Sequence, residues 1–352
     1  MNDNATAYTA QHQAILTQHA QSLRRRRGLL ALLMVLLVLA VGLDLMTGPA
    51  GLSWQEILTG LRGQGDARLN VIMWQVRVPT AILAVLVGAA LSLAGAEMQT
   101  ILGNPLASPF TLGVSSAAAF GAALAIILGV TLPFVPLSMA VPINAFIMAF
   151  GAVMLIQLFA ASQRGPAALV LFGIALVFGF NALVAIVQFL APADSLQQLV
   201  FWTMGSLNRA NVSAITALFL TLAIVVPFAF RAANALTLLS LGQERAQSLG
   251  IHIERLRFGC LLRASLLAAV AVSFTGTIGF IGLVGPHIAK MLLGEDHHYF
   301  LPGALLSGAL LMSLASIASK TLLPGILLPI GIVASLIGLP CFIILLLLRK
   351  VD

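Results

Sequence analysis

The sequence predicts an all-α polytopic membrane protein with about ten transmembrane helices, and three observations support this prediction. The chain has 352 residues, of which 60% are hydrophobic and only 8% are charged, a composition unlike that of soluble domains. Its apolar residues form long runs, and a bilayer core requires about 20 apolar residues per helix. Its basic residues lie at the ends of these runs, so the net charge of +7 reflects orientation in the membrane and not nucleic-acid binding.

The first element is a polar segment, predicted to be a cytoplasmic tail over residues 1–27 that ends in the basic run Arg24–Arg27. The apolar run that follows has no small-x-small cleavage site after Asp44, which favours an uncleaved first helix over a signal peptide. A single transmembrane domain is predicted over 28–348, with a short tail over 349–352. The predicted spans are 28–47, 78–102, 114–131, 140–161, 167–190, 212–230, 259–276, 279–293, 300–320 and 326–348.

Charge asymmetry predicts the orientation of these spans. With ten crossings, most of the 18 Lys and Arg residues fall on the side of the N-terminus, which places both termini in the cytoplasm. The stretch 48–77 is then an outer loop, read as a short amphipathic surface piece. The stretch 233–258 is a cytoplasmic loop.

The second predicted span opens at Arg77-Val78-Pro79, because proline fits the first turn of a helix. The span ends before the Asn104-Pro105 break, and unpaired backbone of this kind at membrane depth lines protein or a water-filled cavity. Within it, Glu97 is an acid in or near the bilayer. Two interpretations remain open: a proton-coupling acid, or a carboxylate near the cytoplasmic end that is partly wet or paired with an arginine.

The cytoplasmic loop is charged in a chain that is otherwise apolar. Its E-x-A-x3-G core predicts a helix from about Gly242 to Leu249 that ends at Gly250, a favourable residue for terminating a helix. A second short helix is expected to start near Ile253. Together they would form a compact projection that contacts a partner, although a solvated linker is the alternative.

The remaining motifs indicate packing more than chemistry. The glycines from Gly276 to Gly285 predict a tight re-entry between two helices, and His287 beside them suggests a packing or hydrogen-bonding role. The acidic and histidine run at residues 295–298 is a weak candidate for a metal site. The sequence offers no catalytic nucleophile–base pair, no metal-ligand spacing and no G-x-x-x-x-G-K-S/T phosphate loop, so neither enzymatic activity nor a metal is expected.

Several motifs occur in one order along the chain: R-x-P, N-P-L-A-x-P, L-G-x-x-x-A-x-x-L-G, G-x-I-G-F-I-G-L-V-x-P-H-I, G-x-D-H and L-P-x-G-I-x-x-x-x-I-G-x-P-x-F. From about Arg77 to Leu348 the chain therefore resembles the permease subunit of type II ABC importers, the family that takes up iron-siderophores, haem and cobalamin. The resemblance implies that family's permease fold, a location in the inner (cytoplasmic) membrane, and import driven by ATP and Mg on a partner chain, with no cofactor bound by this one.

The resemblance also assigns residues. Contact with two copies of an ABC ATPase falls on the cytoplasmic loop, at Leu241, Gly242, Glu244, Arg245, Ala246, Leu249 and Gly250. A second permease copy or a paralogue completes a central path, for which the resemblance gives Asn181 and Gln188, with Ser162 and Gln163 at its gate. The break after the second span adds Gln99 and Asn104 as candidates for the path. A periplasmic or lipid-anchored substrate-binding protein would dock on Arg62, Arg68 and Lys320. Besides membrane lipid, no other partner is implied, and nucleic acid is not expected.

The chain departs from the family pattern near the end of the ninth predicted span. The family's D-x-x-x-R is Ser316 to Lys320 here, and lysine keeps the charge but loses the two-pronged geometry that suits carboxylates. The resemblance leaves the substrate open between an iron-siderophore, the commonest in the family, and haem or cobalamin. A proton-coupled secondary transporter that uses Glu97 is the rival class.

Overall fold

The computed structural model describes residues 2–160, 166–323 and 325–348, and in these ranges all regular secondary structure is helical. The helices are α1 Asn2–Met46, α2 Trp54–Leu61, α3 Ala67–Val71, α4 Val78–Leu102, α5 Val114–Ile126, α6 Leu137–Ala160, α7 Pro166–Phe189, α8 Ala193–Thr203, α9 Val212–Arg231, α10 Ala233–Ser240, α11 Gln243–Ser248, α12 Ile253–Thr275, α13 Ile281–Leu293, α14 His297–Thr321 and α15 Ile330–Leu348. A π-helical segment, Ile72–Arg77, joins α3 to α4.

The all-α membrane fold predicted from the sequence is confirmed. Within the described residues, seven helices are long and apolar enough to cross a membrane, and α5, α13 and α15 contribute shorter apolar segments. Each of the ten predicted spans overlaps one helix. The crossing of all ten and their orientation remain predictions.

Helix α4 lies at the centre of the bundle, and its small residues allow this position. A side chain at Gly88 would overlap the backbone of Gly308 on α14, and one at Gly95 would overlap the backbone of Gly282 on α13. Between them, the buried Ser92 hydroxyl donates to the Ala304 carbonyl at 2.6 Å. Small residues that bring backbones together are typical of helix packing in membranes.

The helical rod that contains α4 is longer than the sequence predicted. Helix α4 begins at Val78 with Pro79 in its first turn, as expected. However, Arg77 belongs to the π-helical segment and not to a loop, so the rod continues back to Ala67. A π-helical turn is rare and occurs mostly as a single widened turn within an α-helix. Here the Trp74 indole also anchors the segment by donating to the Gly60 carbonyl at 3.0 Å.

The second short helix expected near Ile253 is instead the start of the long helix α12, which runs to Thr275. Gly259 is the only helix-weakening residue between Ile253 and the apolar run, and a single glycine costs only about 1 kcal/mol in a helix. The break predicted after α12 is present. Gly276 adopts a φ of +75° and a side chain there would overlap the Trp202 carbonyl.

The N-terminal segment is also helical, because α1 extends without interruption from Asn2 through the basic run to Met46. Arg26 donates to Asp296 at 3.1 Å and its guanidinium lies 5.5 Å from the Tyr299 ring. These contacts hold the basic end of α1 against the start of α14.

Candidate coupling site

The segment from Leu241 to Gly250, which we call the coupling segment, has an exposed surface with features of a docking site. Helix α11 lies between two glycines with positive φ, Gly242 at +120° and Gly250 at +84°. Leu241 and Leu249 are 56% and 62% exposed, and Glu244 and Arg245 are exposed as well. An apolar pair beside charges, projecting from the bundle, is typical of an interaction surface.

One residue of this segment points inward. Ala246 is fully buried, and its carbonyl accepts a hydrogen bond from the Ile251 backbone N–H at 3.0 Å. The segment is therefore seated on the bundle through Ala246, and its other predicted contact residues face outward.

A polar network fastens α10, which precedes the segment, to the bundle. The buried His297 ring contacts the Thr100 hydroxyl at 2.8 Å and the Thr237 hydroxyl at 3.2 Å. The His297 backbone N–H also donates to Thr237 at 2.9 Å. Next to it, the His298 ring lies 2.7 Å from the Asn234 side-chain oxygen. This network joins α10 to the end of α4 and to the start of α14.

A cavity of about 630 Å³ lies between the start of the segment and the bundle. Gly242 and Gln243 form one wall, Arg257 of α12 another, and His287 and Lys290 of α13 a third. Lys290 is paired with Glu295, also in the lining, at 2.6 Å. The cavity means that α11 is not packed against α13 along its whole length.

Helix α12 follows the segment after Ile251 and His252 and carries a buried ion pair to α4. Arg263 donates from Nε to Glu97 Oε1 and Oε2 at 2.8 and 3.2 Å, and from Nη2 to Oε1 at 2.5 Å. The Glu97 side chain is 0% exposed and that of Arg263 is 15% exposed. Of the two interpretations of Glu97, pairing with an arginine is confirmed, although the carboxylate is dry.

A second cluster of charges lies at the far end of α1. Lys320 donates to Asp44 Oδ1 at 2.9 Å, and the side chains are 10% and 1% exposed. Arg77 donates from Nη1 to the Leu45 carbonyl at 2.7 Å. Basic groups thus bind a carbonyl and one carboxylate oxygen at the end of this helix.

The residues predicted to line a path are found in two separate places. Gln99 and Asn104 line the cavity beneath the coupling segment, and the Asn104 side chain accepts from the Leu106 backbone N–H at 2.9 Å. On α7, Asn181 is exposed and Gln188 is half-buried. Ser162 and Gln163 lie outside the described residues, so the role of all six in a path stays a prediction.

The residues predicted to dock a binding protein differ in their exposure and in whether they already have a partner. Arg62, which ends α2, and Arg68 of α3 are both exposed. Lys320, by contrast, already has Asp44 as a partner within the chain. It borders a second cavity of about 370 Å³ with Arg209, whose pKa is lowered by burial.

Sequence reasoning missed the partners of the buried charges. The sequence pattern assigns no structural role to Arg263, Asp44 or Arg209. A usable signal existed, since a charge within an apolar span requires an opposite charge. The metal candidate at residues 295–298 finds no support among the described residues, which contain no group of three His, Cys, Asp or Glu that could hold a metal ion.

The chain is similar to known transport proteins over most of its length. A family model described as the FecCD transport family matches residues 33–348. The hemin transport system permease protein HmuU of Yersinia pestis is 35% identical over 329 residues, covering 91% of this chain and 95% of that protein. The ferric enterobactin transport system permease protein FepD of Escherichia coli is 35% identical over 320 residues, covering 89% and 93%.

A solved structure of an ABC transporter is similar to this chain in three dimensions. It is an inward-facing conformation assigned to a metal-chelate type ABC transporter, which superimposes with a TM-score of 0.81 at 32% identity. The match covers 91% of this chain and 99% of that one.

Proposed function

Because the chain belongs to the FecCD transport family and is a multi-pass ABC transporter permease of the inner membrane, we propose that it moves an iron-siderophore complex into the cell. A separate ATPase, docked on the segment from Leu241 to Gly250, supplies the energy. The relatives named for hemin and for ferric enterobactin support a large iron-containing chelate as the cargo.

The observation that supports ATPase docking is the exposure of the coupling segment. Leu241 and Leu249 expose apolar side chains beside Glu244 and Arg245, on a projection that continues into α12. An apolar pair with charges at its rim matches the composition of protein interfaces. The sequence contains no phosphate loop, so ATP and Mg bind on the partner.

The transport step follows from elementary energetics. A polar chelate cannot enter hydrocarbon without losing its hydrogen bonds, which makes a lined path necessary. Two permease copies, or this chain and a paralogue, would enclose that path, and Asn181 and Gln188 on the exposed face of α7 are its candidate polar lining. ATP binding draws two ATPases together, and each displaces its docked segment as a rigid body.

The outer face would receive the substrate-binding protein. Arg62 and Arg68 are exposed there and can attract acidic side chains, an attraction that salt weakens. Lys320 can join them only by leaving Asp44. The docking surface we propose therefore centres on the two arginines.

The test is a charge reversal on the coupling segment. Glu244→Arg should abolish co-purification of the ATPase or leave hydrolysis without uptake of a labelled ferric siderophore in proteoliposomes. Asp194→Arg makes the same change at an exposed acid of α8, predicted to lie on the opposite side, and should behave as the unmodified protein. Normal assembly and uptake by the Glu244 variant would rule out the assigned docking site.

The cargo and the energy source are tested together. Uptake of ferric siderophore, haem and cobalamin is compared in proteoliposomes that hold the complete complex. Uptake that follows a proton gradient and ignores ATP would replace our proposal by the secondary-transporter class. That class has little support from Glu97, because both carboxylate oxygens accept from Arg263.

A further inference from the structure

The ion pair between Glu97 and Arg263 joins two helices, with the Glu97 side chain fully buried and that of Arg263 15% exposed. Glu97 belongs to α4 and Arg263 to α12, and the guanidinium contacts both carboxylate oxygens. Arg263 Nη2 also lies 3.1 Å from the Cys260 sulfur. Cys260, one turn before Arg263 on α12, therefore also holds the guanidinium in place.

Stability alone does not explain such a pair. Moving two charges out of water carries a desolvation cost that their attraction only roughly offsets, and well-packed apolar residues often replace buried pairs with no loss of stability. What the pair does provide is geometric selectivity. A planar guanidinium that contacts both oxygens of one carboxylate fits in one orientation only.

The position of Arg263 gives this selectivity a use. Helix α12 starts at Ile253, separated by two residues from the coupling segment, and Arg263 lies about 15 Å along it at 1.5 Å per residue. On the other sides of the segment, the cavity of about 630 Å³ lies toward α13, and α10, which precedes the segment, is a helix of only 8 residues. Helix α12, with 23 residues, is the long connection from the segment into the bundle.

Glu97 lies on a helix that contacts two further helices, α13 and α14. Helix α4 touches α13 through Gly95 and α14 through Gly88, where the backbones meet without intervening side chains. A displacement that arrives at Glu97 is therefore passed to two further helices. A slide of α12 by one turn, about 5.4 Å, would separate the two charges.

We propose that Glu97 and Arg263 are positioning residues that keep α12 in register with α4, so that motion of the coupling segment reaches the bundle instead of being lost as sliding. This proposal rests on the proposed function, because it assigns the pair a task in ATP-driven import. The two residues contact neither cargo nor nucleotide in it.

The experiment uses the complete complex of permease, ATPase and binding protein in proteoliposomes. In the double variant Glu97→Met with Arg263→Met, apolar side chains replace both charges, so the helices can still pack. We expect the ATP hydrolysed per cargo molecule imported to rise by a factor of about five or more, the low end of typical coupling between sites. The thermal unfolding midpoint should change little.

The charge-swapped variant Glu97→Arg with Arg263→Glu restores the pair and should bring the ratio back toward that of the unmodified protein. Arg255→Met removes an exposed arginine from the same helix and serves as the control for charge. An unchanged ratio in the apolar double variant would show that the pair is only structural and would overturn the proposal.

Two further measurements keep the outcomes separate. If the apolar double variant does not assemble, Glu97→Gln decides, since it keeps the shape but loses the charge, and a normal ratio in it would also overturn the proposal. If the unmodified complex shows no ATP-driven uptake, the proposed function itself fails. The two failures are therefore distinguishable.

Discussion

Two buried ion pairs hold opposite ends of this bundle, and they differ in completeness. In the pair of Glu97 and Arg263, both carboxylate oxygens accept hydrogen bonds. In the pair of Asp44 and Lys320, Asp44 Oδ2 has no partner within the described residues, and neither does Nη2 of the neighbouring Arg77. The first pair lies between the interiors of two helices, whereas the second lies where α1 ends.

The two pairs indicate that buried charges serve two purposes in this protein. An arginine fork on a carboxylate fixes the register of two continuous helices. A lysine is a point charge with little directional demand, and together with Arg77 it neutralises the carbonyls and the acid at a helix terminus. We therefore expect the inner pair to be the more sensitive to substitution.

The largest effect is expected from Arg263→Met alone. This change leaves the Glu97 carboxylate buried without a partner, which typically costs about 3–5 kcal/mol. Thermal unfolding of the purified permease in detergent should show a clear fall in the midpoint. Arg255→Met on the same helix should not, and equal midpoints for the two variants would contradict the comparison.

A smaller effect is expected from Lys320→Met. Asp44 loses its direct partner, but Arg77 remains close enough to attract it, so the cost should be about 1–3 kcal/mol, in the range for an unsatisfied buried group. The same unfolding measurement applies, with Lys290→Met, a half-exposed lysine, as the control. A loss greater than that of Arg263→Met would reverse the ranking of the two pairs.

A smaller effect again is expected from Arg77→Met. Its guanidinium serves the carbonyls that end α1, and favourable charges at helix termini contribute up to about 2 kcal/mol when partly buried. The substitution should loosen the end of α1, which hydrogen exchange over residues 43–48 would detect. Arg68→Met, an exposed change on α3, should leave that exchange unaltered.

The smallest effect is local and depends on pH. Glu56 accepts from the Ser53 hydroxyl at 2.6 Å and from its backbone N–H at 2.7 Å, and these bonds lower the pKa of Glu56 below its ordinary 4.5. The contribution to α2 is therefore complete above pH 4.5 and is lost as the pH falls through the lowered value. Hydrogen exchange at residues 54–57 should show protection that declines with acid, and Glu56→Gln should remove this dependence.

The sequence was sufficient to locate the ten apolar spans and the loop that carries α11. Apolar length determines a transmembrane helix, and Gly250 terminates α11 where a left-handed residue was expected. The start of the rod that contains α4 was not predictable in this way, because Ile72–Arg77 mixes apolar and polar residues. Such a pattern is compatible with an amphipathic loop as well as with a π-helical turn.

The contacts between helices were beyond the sequence. Glu97 and Arg263 are 166 positions apart, and Lys320 and Asp44 are 276 apart. A helix that is apolar on all sides does not reveal which neighbour it faces. The sequence therefore indicates that each buried charge needs a partner. The partner is identified only by the packing of α4 against α12 and of α1 against α14.

The cavity beneath the coupling segment determines how the molecule yields under load. Close-packed interiors have low compressibility and transmit strain, whereas an opening of about 630 Å³ leaves the segment free to give way. A displacement of the segment from Gly242 toward α13 would meet this opening before it met packed side chains. A force along the axis of α12 acts on a continuous helix of 23 residues. The direction in which a partner pulls on the coupling segment therefore decides how far the displacement is transmitted into the bundle.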